Sequence, residues 1–252
     1  MTSIVPPALR LASDTLDDLE ALRTATGNRH RMATRDVADK DGHFRGLGLD
    51  ESNPMVALTA ATLDSLEDAE HKLILGLQRE VRKTIFIDWI KRESGVGEKQ
   101  AARLLAALGD PYINEQTGEP RTLRQLWAYA GYAVDGGAAR RRRKGMAQED
   151  AFALGKPEVK KRAYLIAKSC VKTGKRYREI YDIEKDYQSE AVHQTPCAQC
   201  GASGSPAQPG TPLRDGHKDA RAVRKLAKEI LRDLWLIARD HHEGNTTTEG
   251  AQ

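Results

Sequence analysis

Apolar residues recur along this chain at intervals of three and four, the spacing that lays them on one face of an α-helix. Leu16, Leu19, Leu22, Ala25 and Met32 predict a helix over 15–36, with Ser13 or Asp14 placed to cap its start. Leu58, Leu63, Leu66, Leu73 and Leu77 predict a second helix over about 56–83, and the Gly42 to Pro54 stretch breaks the chain between the two. Helices joined in this way form an antiparallel, coiled-coil-like hairpin, so 1–84 reads as a two-helix unit.

Ile85, Ile87, Trp89 and Ile90 then lead into Ser94-Gly95-Val96-Gly97, and Ala101, Ala102, Leu104, Leu105 and Leu108 follow, in the order of a helix-hairpin-helix. Gly109-Asp110-Pro111 stops this helix. A further helix is predicted from Thr122, carrying Leu123, Leu126, Trp127 and Tyr129. Another opens at Pro157, with Ala163, Leu165, Ile166, Ala167, Cys170 and Val171 toward a core and Lys160, Lys161, Arg162, Lys168 and Lys172 toward water. Two more cover 176–191 and 220–239, the latter with Val223, Leu226, Ile230, Leu234 and Ile237 on one face. No stretch alternates at period two, so the expected fold is all-α: the N-terminal hairpin, a helix-hairpin-helix domain over 85–242, and a disordered polar tail over 243–252.

Composition narrows the function classes. With 39% hydrophobic and 30% charged residues, the apolar side chains must be concentrated on helix faces. The chain has no run of about eighteen apolar residues and no basic-then-apolar start, so a soluble cytoplasmic protein without a membrane partner is expected. The net charge of +4 is small but uneven, because acids crowd 14–20 and 64–70 while bases dominate from Arg140 to Arg178.

Two features point to nucleic acid. Gly95 and Gly97, flanking Val96, allow a tight turn and the approach of a phosphate oxygen to the amides that open the next helix, whose dipole adds attraction. Lys99 and Arg103 are then expected to reach a phosphodiester backbone; a ligand-free helix connection is the alternative. Arg140, Arg141, Arg142, Arg143 and Lys144 form a basic loop over 140–145, which would hold phosphates by charge or else be a solvated loop, and Lys160 and Lys161 extend it. The partner implied is DNA, branched DNA included, or structured RNA.

Three cysteines cannot all pair, which argues against a secreted disulfide framework. His193, Cys197, Cys200 and His217, set in a Pro/Gly-rich loop over 193–217, suit a structural zinc ion; a redox pair and plain surface cysteines are the alternatives. Cys170 falls on an apolar helix face. No catalytic constellation stands out: Ser94 suits a helix cap, Ser169 lies among core positions, and Asp215, Asp219 and Glu229 are spaced like surface acids.

The string from Ser94 to Pro111, then Arg124-Gln125-Leu126-Trp127-Ala128-Tyr129-Ala130-Gly131, the basic run and Tyr164-Leu165-Ile166-Ala167 resemble the carboxy-terminal domain of an insertion-sequence transposase family. That family joins a RuvC-like DEDD nuclease domain to a helix-hairpin-helix domain and is guided by a structured RNA. The resemblance, spanning roughly 85–239, implies a role in DNA transposition or recombination. Two departures matter. The chain opens with helices where the family has a β-rich nuclease domain with four acidic ligands, and Val134-Asp135-Gly136-Gly137 lacks the serine the family uses there. The N-terminal helices would correspond to the family's coiled-coil linker. A nucleic-acid-binding derivative is therefore the first expectation. An active transposase with an unrecognised nucleophile or a partner nuclease chain is the second, and a structural protein that dimerises through its N-terminal helices is the third.

Overall fold

A computed structural model describes residues 4–135, 138–139, 145–202 and 205–249. The fold is all-α, as the periodicity predicts. Its helices are α1 (Pro7–Thr34), α2 (Pro54–Val81), α3 (Ile87–Arg92), α4 (Glu98–Leu108), α5 (Leu123–Tyr129), α6 (Gln148–Ala153), α7 (Pro157–Thr173), α8 (Arg176–Tyr187) and α9 (Asp215–Glu249). Two-residue strands β1 (Val134–Asp135) and β2 (Ala138–Ala139) pair antiparallel between α5 and α6. No helix among the described residues is long and apolar enough to cross a membrane.

Local chemistry sets the helix ends. Prolines open α1, α2 and α7, where their fixed φ suits the first turn and their missing N–H is not needed. The Asn53 side chain caps α2, and Thr122 and Gln125 form a reciprocal capping box on α5. Proline also explains why α1 starts at Pro7, eight residues ahead of the expected start; Ser13, expected as a cap, is buried inside the helix. At the other end of the chain the expected disordered tail is corrected: α9 runs through to Glu249.

Helices α1 and α2 lie antiparallel, with Arg23 Nε 2.6 Å from Glu70 Oε1 and Gly27 facing Leu63. Their base is not a separate unit. Leu9, Leu16, Leu77 and Val81 belong to the same hydrophobic cluster as Trp89, Leu104, Leu105, Ile166, Leu226 and Leu234, so the core crosses the boundary expected at 84. Helix α4 sits at its centre, packed on α1, α2 and α7 rather than chiefly on α3. Gly95 explains one of these contacts. Its φ of +89° is a left-handed conformation, and a Cβ there would lie 2.6 Å from the Cα of Cys170 on α7. The glycine is required by helix packing.

A layer of buried charge ties α1 to α4 and α7. Arg103 is 2% exposed and forks onto Glu20 at 2.9 Å through both terminal nitrogens, while also pairing with Asp17. Arg162, buried although its position predicts solvent, meets Asp17 at 2.5 Å. A second buried network joins α3, α8 and α9: Trp89 Nε1 donates to the Tyr177 hydroxyl at 2.9 Å, and that hydroxyl donates to Asp233 at 2.6 Å.

Candidate metal centre and cationic face

His193, Cys197, Cys200 and His217 converge. One ligand atom from each lies within 4.8 Å of the other three, so the four side chains can hold a metal ion. Backbone pairing builds the loop that brings them together. Cys197 and Ala207 exchange both backbone hydrogen bonds at 2.9 Å, His193 N–H donates to the Thr211 carbonyl at 2.9 Å, and Gly210 N–H donates to the His193 carbonyl at 2.8 Å. After Cys200 the chain turns so tightly that a Cβ on Gly201 would collide with the Ser205 carbonyl. His217 enters from the first turn of α9, its Nδ1 3.3 Å from Cys200 Sγ and 3.9 Å from Cys197 Sγ. The Nε2 atom of His193, in a side chain buried to 3% exposure, has no hydrogen-bond partner. A buried nitrogen is seldom left unpaired, and a metal ion would satisfy it.

The candidate phosphate site at the glycine turn is arranged differently from expectation. Lys99 and Arg103 do not reach outward: Lys99 Nζ lies 2.8 Å from Glu20, and Arg103 is sealed under α1. Burial and the neighbouring Arg162 guanidinium hold Arg103 down at about 10, still protonated at neutral pH, so it needs the carboxylates that surround it. The first turn of α4 also carries Glu98, which Arg82 holds through two 2.7 Å contacts. That hydrogen bond keeps the Glu98 carboxyl below its ordinary range, so a negative charge already stands where a phosphate was expected. Val96 is buried. The positive φ expected of both glycines is adopted by Gly95 alone; Gly97 has an ordinary φ of −83°, with open space where a Cβ would point.

A different surface gathers cations. Lys228 Nζ lies 3.8 Å over the Trp127 ring, and Trp127 Nε1 donates to the Lys228 carbonyl at 3.0 Å. Burial first, and then Arg224, Lys225 and Arg124, pull the Lys228 ammonium below its ordinary range, opposed by Glu229, which pairs with Lys225 at 3.2 Å. Arg224 donates to the Tyr132 carbonyl at 2.6 Å and to the Ala133 carbonyl at 3.1 Å, and it shares the Tyr132 ring with Lys160. Lys161 is exposed beside Glu158. Arg140, Arg141, Arg142, Arg143 and Lys144 lie outside the described residues, but in the chain they directly follow Ala139, whose ladder partner Val134 adjoins Ala133. The sequence reading missed Arg124 on α5 and Arg224, Lys225 and Lys228 on α9; for the last three, the three- and four-residue steps to Lys228 were the available signal.

Among the described residues, the Cys/His tetrad is the one group of three or more His, Cys, Asp or Glu side chains placed to hold a metal ion. Comparison with protein-family models, with curated proteins and with solved structures yields no match.

Proposed function

We propose that the chain is a nucleic-acid-binding protein related to a transposase, with a structural zinc ion at His193, Cys197, Cys200 and His217. The crowding of Arg124, Arg224, Lys225 and Lys228 around Trp127 and Tyr132 carries the first part. Cations gathered on one face suit a polyanion that neutralises them. The basic run 140–144, outside the described residues, follows Ala139 directly in the chain. The glycine turn is at most an accessory, because its two cations are spent on α1.

Zinc is favoured by the donor set. Two thiolates and two imidazoles complete a closed tetrahedron, and Zn–S and Zn–N bonds of about 2.3 and 2.0 Å imply S···N separations of about 3.6 Å. The separations of 3.3 and 3.9 Å from His217 Nδ1 bracket that value. Bound there, zinc would supply folding free energy to a loop that buries little apolar surface.

The test is titration of the full chain against duplex DNA, branched DNA and structured RNA at two salt concentrations, with and without magnesium. Salt-sensitive binding with intact strands is expected. Replacing Arg124, Lys225 and Lys228 with alanine should reduce the slope of log affinity against log salt by up to about 3 on duplex DNA. An unchanged slope would sink the assignment of this face. Magnesium-dependent scission would favour an active transposase instead.

A further inference from the structure

The metal loop and the cationic face meet on one helix. Complete burial of α9 apolar residues begins at Ala222, so the first two turns, from Asp215 to Arg221, gain little from the core. The loop before α9 and the adjoining end of α8 hold those turns instead. His217 enters the tetrad, Lys218 donates to the Ser189 carbonyl at 2.7 Å, and Arg221 donates to the Gln188 side chain at 2.8 Å. Asp219 accepts from the Tyr181 hydroxyl at 2.6 Å, with Lys168 at 3.4 Å. The next turn carries Arg224, Lys225 and Lys228.

Beyond its backbone pairing, the loop has little apolar burial to fix it. Between Ser189 and Arg214, Cys200 and Leu213 are its buried apolar residues among those described, and Cys200 is itself a ligand. The order of the loop therefore depends on its backbone pairing and on whatever joins the four ligands.

We propose that metal occupancy sets the nucleic-acid affinity of this chain, by clamping the first two turns of α9 and so holding the turn that presents Arg224, Lys225 and Lys228. The proposal rests on both readings above. With metal bound, α9 is anchored ahead of its cations. Without it, the helix frays from Asp215, the Arg224 contacts to Tyr132 and Ala133 loosen, and the face loses its geometry while its charge is unchanged.

The experiment uses the full chain loaded with zinc, the same chain stripped by a chelator, and a Cys197→Ser/Cys200→Ser variant. Bound metal, amide hydrogen exchange over 188–232 and affinity for a short DNA duplex are measured on each. The expected result is one zinc per chain, with faster exchange over 188–224 and about tenfold weaker duplex binding after stripping, both restored by zinc. A Gln188→Ala variant, which keeps all four ligands, should retain zinc yet exchange faster over 215–222. Zinc binding with unchanged exchange in α9, or with unchanged affinity, overturns the clamp and leaves the zinc reading standing. No zinc uptake overturns both. Faster exchange on stripping, with no duplex binding in either state, overturns the proposal together with the nucleic-acid reading.

Discussion

Gly95 and Gly97 look alike in the sequence and do opposite things in the fold. Alanine at Gly95 must adopt a φ near +89° and meet Cys170, so Gly95→Ala should destabilise the protein by about 3 kcal/mol in chemical unfolding. Gly97→Val meets nothing. It should leave stability and helicity intact and weaken nucleic-acid binding only if the α4 amides contact phosphate, so affinity titration of this variant isolates the turn. Cys170 offers a second test at this scale. Burial, then Glu93, pushes its thiol up to about 12 from an ordinary 9.0. A folded-state value above the unfolded one means the unfolded chain sheds this proton first. Stability is then complete below pH 9 and falls as pH rises toward 12, by at most about 1.4 kcal/mol per pH unit. Between pH 9 and 10 the loss should be smaller in Cys170→Ala than in wild type; Tyr132 and Tyr177, whose hydroxyls burial also pushes up, supply the part that remains.

At the scale of elements, periodicity made the helices legible because most of them bury one stripe each. Helix α4 shows where that reading stops. Its Ala and Leu positions pointed to a core, but the sequence placed Arg103 on the outside, since a charged residue is buried only with partners and those partners lie on α1. Nothing local in 94–108 announces Asp17 or Glu20. The same reason hid Arg162. Asp17→Ala leaves two buried guanidiniums short of a counter-charge, and a loss of about 3 kcal/mol is expected in urea unfolding, with α1 released first. A loss below about 1 kcal/mol would show that Glu20 and solvent suffice. The Cys/His tetrad, by contrast, was legible from its spacing, because Cys-x-x-Cys in a core-poor loop is a local pattern. The crowding on α9 was not, as it needs Trp127 and Tyr132 brought to the helix from residues about a hundred positions earlier in the chain.

For the whole molecule, α9 is the common frame. It carries His217 of the Cys/His tetrad, the cationic turn at Arg224 to Lys228, the buried Asp233 that Tyr177 and Arg176 hold, and His242, whose Nε2 lies 2.7 Å from Asp110. Mutations that shorten α9 should therefore have effects beyond their own position. Replacing Ile230 or Leu234, both fully buried, with alanine should cost about 3 kcal/mol each and lower metal retention at elevated temperature, read by zinc release during thermal unfolding. Retention unchanged while the core melts would show that the metal loop folds on its own.

The acids of α1 set a timetable for synthesis. Glu20 and Asp17 wait for Arg103, 83 residues after Glu20, and Asp17 waits for its second partner, Arg162, 145 residues later. At the usual pace of ribosomes that second interval is on the order of ten seconds, during which Leu9 and Leu16 have only the α2–α4 part of their core to enter. A nascent chain stalled before Arg162 should consequently be held by chaperones or cut by proteases at α1, and a chain stalled beyond the middle of α9 should escape both.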